Sequence, residues 1–501
     1  MDYPATQRDI SMLSLPHRKA KMKVELLSYD NQVLCEMSGE ITGGSLTVDA
    51  QSDVRRIASI SVASIDPVYE LGADRRIWYT RQIRLFYCIQ SPDGDWIEYP
   101  LGIYAYTEAS FSLSAEENML SLSCGDRMVF LLETRGSQIG HDTTILVDSS
   151  IRNAMRETLL TFTPIKDYAI EEFPSDQEIV PYDIEKDAGS YPHDLIRELR
   201  DLYPCRETFF DVYGTFICRK IPDSLDDPLF LDASVMDPLI ISEQEKHGFD
   251  VRNVTEIWGA DIDADRTAES CSFVDGVYTL TIPLYDAYVN DEIISFTPQK
   301  DCVDSQKLRI GELASFPIIV RKYASDGRCI DEPIKAGVIR SGYPYAVRYM
   351  DGVFLFEGEL TVHAIVKEVS VMPSEEEMEA DRNENDCRTI GYVVNPDSPY
   401  TVDKIGEIRQ VLTGGEYDDI TTSQLALERA SYENWKKTRL NDGVTLTSVL
   451  IPFMEVNKKI EYTSPRTGEK RAYLVKQITM DFASSTMTLE LSRFYPYYPW
   501  L

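Results

Sequence analysis

Short runs of alternating apolar and polar residues, cut by tight-turn residues, fill the first 135 positions and constrain the fold more than any other feature. Lys23-Val24-Glu25-Leu26, Ser45-Leu46-Thr47-Val48-Asp49, Ser59-Ile60-Ser61-Val62 and Gln82 to Tyr87 each place apolar side chains on one face only, the pattern of a half-buried strand. Tyr29-Asp30-Asn31, Gly43-Gly44, Ser91 to Asp95 and Pro100-Leu101-Gly102 read as turns between them. The expected product is an antiparallel sheet that curls into a barrel. With 501 residues, 43% of them hydrophobic, the chain is long enough for about three or four such cores. Its 29 Tyr, against 18 Phe and 5 Trp, favour strands over helices throughout.

Charge narrows the function classes. Lys and Arg total 50 against 83 Asp and Glu, a formal net charge of −33, so binding to a phosphate backbone through a basic cluster is disfavoured. The acidity serves solubility, or lines a channel past which DNA moves without sticking. Nine cysteines (Cys35, Cys88, Cys124, Cys205, Cys218, Cys271, Cys302, Cys329, Cys387) are widely spaced and lack any Cys-x-x-Cys pair, which suggests a reducing compartment without disulfides or zinc. Residues Met1 to Lys23 hold no apolar segment suited to a signal peptide, and no run of about 18 apolar residues occurs anywhere. A product made and kept in a cytoplasm, without stable membrane insertion, is expected.

Past residue 140 the pattern changes. Helical spacing is expected over Thr143 to Phe162 and over Ser190 to Leu202, the latter with Pro192 in its first turn and Pro204 beyond its end. A hairpin over Glu207 to Ile221, turned at Tyr213-Gly214, completes a helix-helix-hairpin module. Strands are then expected at Asp250 to Gly259, Val277 to Ile282, Ile318 to Lys322, Ala346 to Tyr349, Val353 to Phe356 and Leu360 to Val371. The acidic run Ser374 to Glu379 reads as an exposed linker or helix start. Ile405, Ile408 and Leu412 share a helical face that Gly414-Gly415 ends. Thr421 to Leu440 is the strongest helix, with a Thr421/Gln424 capping box, a Glu433/Lys437 pair and an apolar stripe of Leu427, Ala430 and Trp435, the last expected in a core. Strands at Val444 to Leu450, Lys459 to Tyr462, Ala472 to Asp481 and Thr486 to Ser492 follow, and the aromatic end Phe494 to Leu501 calls for a partner surface.

Catalytic patterns are missing. His17, His141, His193, His247 and His363 form no His-Glu-x-x-His, and neither a Gly-rich phosphate loop nor Gly-x-Ser-x-Gly occurs. Asp261-x-Asp263-x-Asp265 starts like a calcium loop, but Arg266 stands where glycine is needed and Ser272 where the closing glutamate belongs. Asn253-Val254-Thr255 fits a glycosylation acceptor by chance. No catalytic residue, cofactor site or metal ligand is therefore expected. Adjacent Arg55-Arg56 is read as solvated or locally paired, or as an intersubunit contact. Tyr278, Tyr285, Tyr288, Tyr343 and Tyr345 form either a core or, if exposed, a sugar-binding face.

Several stretches resemble baseplate hub and tail-tip proteins of long-tailed bacteriophages. They are Glu40 to Asp49 with Arg55-Arg56 and Leu101 to Tyr104; Asp250 to Gly259, with its Asn-Val and terminal aromatic-Gly; and Asn395 to Tyr400, Glu428 to Leu440, Ile451 to Ile460 and Tyr473 to Ile478. The resemblance implies a mainly β chain with α+β parts. Its divisions would be a first ring-forming barrel (1–135), a small α/β module (136–235), a second ring-forming barrel (236–261 and 386–501) and a β-rich insertion (262–385). It further implies a homotrimer with a pseudo-sixfold ring around a DNA channel, assembled in the host cytoplasm into the virion tail tip. Its partners would be the tail tube or distal tail protein, the tape measure protein, and tip, spike or receptor-binding proteins. A tail-associated receptor or carbohydrate binder, or a peptidoglycan hydrolase, is the alternative.

Overall fold

A computed structural model describes residues 3–493 apart from 16, 38–39, 64–70, 73–74, 114–117, 175–177, 182, 204–205, 223–226, 248–250, 324–328, 419 and 440–441. Expected features at Phe494 to Leu501, Pro204, Cys205, Asp250 and Leu440 lie outside the described residues. The fold is mainly β with α+β parts.

Helix α1 (Gln7–Leu13) opens behind a capping box in which Thr6 and Asp9 exchange backbone bonds. Seven strands follow: β1 (Ala20–Leu27), β2 (Val33–Glu36), β3 (Glu40–Asp49), β4 (Arg56–Ala63), β5 (Gln82–Gln90), β6 (Trp96–Leu113) and β7 (Asn118–Asp126). They hydrogen-bond in the order β3-β4-β7-β6-β5-β1-β2, all antiparallel. Alternation works as expected in β4, where Ala58, Ile60 and Val62 are buried between exposed or half-buried neighbours. Two expected turns prove to be strand interior. Gly43-Gly44 lies in β3 at a bulge, and Pro100-Leu101-Gly102 lies in β6 opposite Leu85 and Phe86, again at a bulge. A bulge interrupts the ladder, so glycine and proline fit there without ending the strand.

The α/β module comprises β8 (Thr143–Ile145), α2 (Ile151–Phe162), β9 (Tyr168–Ile170), β10 (Ile184–Lys186), α3 (Pro192–Asp201), β11 (Arg206–Phe210) and β12 (Phe216–Lys220). The helix expected from Thr143 begins only at Ile151. Thr143–Ile145 instead pairs with Ile184–Lys186, and Ser150 caps the helix by accepting from the Asn153 N–H. Met155, Leu159, Leu195, Leu199, Phe210 and Phe216 share its core. Gly214 turns the β11–β12 hairpin at φ +80°, and a Cβ there would lie 3.0 Å from Ile103, so the turn is pressed against β6.

Next come α4 (Ala233–Met236), β13 (Ile240–His247) and β14 (Val254–Asp261). A nine-stranded β unit follows: β15 (Arg266–Thr267), β16 (Ser270–Val274), β17 (Val277–Thr281), β18 (Ile293–Phe296), β19 (Lys307–Ile310), β20 (Phe316–Tyr323), β21 (Cys329–Pro333), β22 (Tyr345–Met350) and β23 (Val353–Glu359). It has its own core around Tyr278, Leu280, Ile294, Phe296, Tyr345 and Phe354. Then β24 (Thr361–Val369), α5 (Glu375–Asn385), β25 (Thr389–Val394), α6 (Val402–Ile405), β26 (Arg409–Leu412) and α7 (Ser423–Arg439) build a four-stranded sheet, β25-β24-β14-β26, covered by α7. Strand β24 thus belongs with β14 and not with the insertion, whose hydrogen-bonded body ends before residue 361. The acidic run is the start of α5, capped by Ser374 and Glu377. The helix expected over Ile405 to Leu412 is not formed: Gly406 at φ +79° ends α6, and Arg409–Leu412 becomes a strand parallel to β14.

Helix α7 meets its sheet through small residues. Ala426 and Ala430 are fully buried against Ile257, Val362, Ala364, Val366 and Val393, whereas Leu427 and Trp435 are half-buried. Trp435 therefore leaves the core expected for it, because a helix lying close on a sheet has room only for small side chains beneath it. Gly259 is needed at the same junction: a Cβ there would lie 2.6 Å from the Ile420 carbonyl oxygen and 2.7 Å from Val362. The cap is also displaced, with Thr422 rather than Thr421 accepting from the Leu425 N–H, and Glu433 is paired by Arg429 and Lys436.

The chain closes with β27 (Asp442–Val449), β28 (Lys459–Thr463), β29 (Lys470–Asp481) and β30 (Thr486–Arg493). Gln477–Asp481 of β29 pairs with Ser45–Asp49 of β3, which joins the first and last parts of the chain in one twelve-stranded sheet. Leu26, Val48, Leu122, Leu446, Ile478 and Leu489 share a single core across it. The hydrogen bonds therefore cross the expected boundary between the 1–135 and 386–501 segments.

Candidate assembly site

The most concentrated chemistry of the molecule is a buried charged junction where β4, the β11–β12 hairpin and the segment before β28 meet. Arg55 and Arg56 are 3% and 2% exposed, so the pair is neither solvated nor offered to another subunit. Arg55 Nη2 lies 2.7 Å from Glu207 Oε2, Arg219 Nε 2.6 Å from Glu207 Oε1, and Asn457 Nδ2 donates to Glu207 Oε2 at 2.7 Å. The Arg55 guanidinium also sits 4.1 Å over the Phe209 ring, with Arg219 4.7 Å from that ring. Arg56 donates to the Phe210 carbonyl and to Glu455. Burial alone would raise the Glu207 carboxyl, but Arg55 and Arg219, with Asn457, hold it below the ordinary carboxylate range. Asp126, at the end of β7, accepts the N–H groups of Arg56 and Met128 at 2.9 Å each, and burial pushes its carboxyl up to about 6. This network fixes the α/β module on the large sheet. The expectation of carboxylate pairing for Arg55-Arg56 holds, but the partners Glu207 and Glu455 are remote in sequence rather than local, and the solvated and intersubunit alternatives do not apply.

A second polar network lies on the four-stranded sheet. Glu256 accepts from Trp258 Nε1 at 2.8 Å and Arg409 Nη1 at 2.8 Å, and lies 3.0 Å from His363 Nε2. The Trp258 and His363 rings stack 3.8 Å apart at 13°. Lys367 bridges Asp381 of α5, at 2.6 Å, and Glu407. Burial lowers the His363 pKa against the pull of Glu256. These contacts tie α5 and β26 to the sheet.

His193 is buried on α3 with Nε2 3.5 Å from Asp53. Asp261 accepts from Thr361 and Asp265 from the Ile293 N–H, so each carboxylate already serves a local bond. Among the described residues no group of three or more His, Cys, Asp or Glu is placed to hold a metal ion. Burial pushes the thiols of Cys88 and Cys387 up to about 11 and that of Cys218 up to about 12, which suppresses the thiolate form. The insertion tyrosines are packed. Tyr278 and Tyr345 are buried, while Tyr285, Tyr288 and Tyr343 are half-buried against the same core, so they form no open aromatic platform. A cleft of about 1230 Å³ between α2, β12 and Asp227–Leu231 carries Arg152, Arg156 and Lys458 beside Glu171, Glu178 and Asp227. Its mixed charge selects no ligand class. No helix among the described residues is long and apolar enough to cross a membrane.

Solved structures similar to this chain include tail proteins of phages and prophages and a component of a type VI secretion system. Similar solved structures include a 43 kDa tail protein of prophage MuSo2 from Shewanella oneidensis, at 10% identity and TM-score 0.49, covering 95% of this chain and 98% of that one. A tail protein from Neisseria meningitidis is 8% identical at TM-score 0.48, with coverage of 95% and 98%. A prophage tail protein from Listeria monocytogenes is 8% identical at TM-score 0.41, with 94% of each chain covered. Residues 397–498 match a family described as a domain of unknown function, DUF5048. No curated protein matches the sequence at a significant level.

Proposed function

We propose that the chain is a structural virion protein, the baseplate or tail-tip hub of a long-tailed phage. In this reading three copies form a pseudo-sixfold ring that joins the hexameric tail tube to the tip and its host-recognition proteins. The observation that carries it is the twelve-stranded sheet, which unites both ends of the chain and leaves β2 and β13 as unpaired edges among the described residues. A soluble chain that keeps two open edges on one sheet is built to be continued by neighbours, since an exposed edge is otherwise an aggregation hazard. The resemblance of Asp250 to Gly259 and of the α7–β30 region to tail hubs supports the same reading. In this reading a duplicated ring-forming part in each chain lets three copies present six similar surfaces to a sixfold tube, while the unlike parts of each chain build a threefold face for the tip. The net charge of −33 suits a channel wall past which DNA travels without binding. Tail tube or distal tail protein, tape measure protein and receptor-binding proteins are the partners this role requires, and it needs no catalytic residue. Negative-stain class averages of the assembled protein test it. A threefold ring with a central opening supports the hub, and a particle without rotational symmetry contradicts it.

A further inference from the structure

The end of the four-stranded sheet nearest Asn253 carries an exposed apolar surface. Val371 and Met372, just past β24, are 75% and 52% exposed, and Val394, Ile405 and Ile408 are 37–43% exposed. Strand pairing gathers all five at one end, because Val369 lies opposite Val394 and Val254 opposite Arg409, at the outermost rungs of their ladders. The loop that carries Ile405 and Ile408 is held firmly. Asn253, fully buried, donates to the Tyr400 and Gly406 carbonyls at 2.8 Å each and accepts from the Ile408 N–H at 2.7 Å. The Ser370 N–H donates to Asp403 at 2.7 Å, which seats α6 beside Val371. A group of exposed aliphatic side chains on so fixed a frame marks a docking surface.

Residues 494–501, outside the described part, have the chemistry and the reach to cover it. Phe494 to Leu501 carries five aromatic side chains and no charged one, and Pro496 and Pro499 favour an extended course. Strand β30 ends at Arg493, one rung past the Ser492–Gly443 pair, so the segment leaves beside Asp442. From this point two connections already lead to the Asn253 end of the four-stranded sheet. Asp442 stands three residues after the end of α7, whose Asn434 lies 3.5 Å from Thr255, and it pairs with His247, which is six residues ahead of Asn253. Eight extended residues span about 26 Å, more than either connection. We propose that residues 494–501 lie across this apolar end of the same chain's four-stranded sheet and strap it to the large sheet. Burial of aromatic and aliphatic surface drives the contact, and the uncharged segment brings no ion into it. The same chain is the occupant because the segment starts where both connections to that sheet start.

Two experiments on the full chain test it. Val371→Asp with Met372→Asp puts charge on the docking surface at exposed positions, so circular dichroism should stay unchanged. Chymotrypsin cleavage after Phe494 and Tyr497, followed by intact mass, is expected to run about tenfold faster in this variant than in the wild type, equivalent to about 1.4 kcal/mol of lost docking. In the second experiment p-benzoylphenylalanine replaces Tyr498, and isotopically labelled and unlabelled copies are mixed before irradiation. Cross-links from position 498 to residues 370–372 or 405–408 within one chain are the expected result. Equal cleavage rates, or cross-links to other parts of the chain, overturn the strap. Cross-links that join labelled to unlabelled chains overturn it too, and assign the surface to a second copy.

Discussion

Truncating Glu207 tests whether the buried junction holds the molecule together. In Glu207→Ala the carboxylate that faces Arg55 and Arg219 disappears, and with it three hydrogen bonds of 2.6 to 2.7 Å. Arg55 stays only 3% exposed, so its charge is left in a place that water does not reach. Removing one partner of such a buried pair costs about 3–5 kcal/mol, against about 0–1 kcal/mol for an exposed pair. Arg156 with Glu157 is an exposed pair in the same module, and Glu157→Ala is the matched control. Because Glu207 joins β11–β12 to β4 and to Asn457, the module should open before the large sheet melts. Hydrogen exchange followed by mass spectrometry should therefore show β11 and β12 losing protection by a factor of about a hundred or more, with β29 and β30 little changed. Glu207→Gln, which keeps an acceptor but no charge, should fall between. The effect carries a pH signature. The folded-state carboxyl sits below its ordinary value of 4.5, so its stabilisation is present above pH 4.5 and is lost as the pH falls through the folded value. Equal exchange rates in Glu207→Ala and Glu157→Ala would refute the reasoning.

Other consequences follow from neighbouring features. Asp126 titrates near pH 6, raised from 3.8, so the folded state takes up its proton more readily than the unfolded one. Its contribution should favour the fold as pH drops from about 6 toward 4, and the difference in melting temperature between wild type and Asp126→Asn should change across that window. A difference independent of pH would contradict the burial argument. The insertion should be removable: the Ile262 N–H donates to the Leu360 carbonyl and Asp261 faces Thr361, so the two chain ends lie side by side. Replacing residues 265–357 with a short Gly-containing turn, which retains Glu359 as the acceptor for Ser423, should leave the remaining sheets intact by circular dichroism; an insoluble product would show that the insertion is part of the main core. Gly259→Ala, despite its small size, should cost stability, since its Cβ would meet the Ile420 backbone oxygen at 2.6 Å; an unchanged melting temperature would mean that α7 yields easily.

Local pattern was legible in this chain and long-range packing was not. The strands at 23–26, 59–62, 444–450 and 486–492 were readable because each has one wet and one dry face, and period two survives any tertiary arrangement. The helix assigned to Ile405, Ile408 and Leu412 failed because three apolar residues at helical spacing also suit a short edge strand, and Gly406 decided between them. The β3–β29 pairing joins residues more than 400 positions apart and leaves no local trace. For the same reason neither the burial nor the partners of Arg55-Arg56 could be read from the sequence, which left them solvated, locally paired or at a subunit contact. Their partners, Glu207 and Glu455, are remote in sequence, and an arginine's burial is set by what folds over it.

The mass of the purified chain in solution, by light scattering over a range of concentrations, tests the hub account most directly. The account predicts a particle of three times 57.1 kDa, formed by the chain alone or on mixing with its tail tube partner. A mass that stays at 57.1 kDa under both conditions would contradict it.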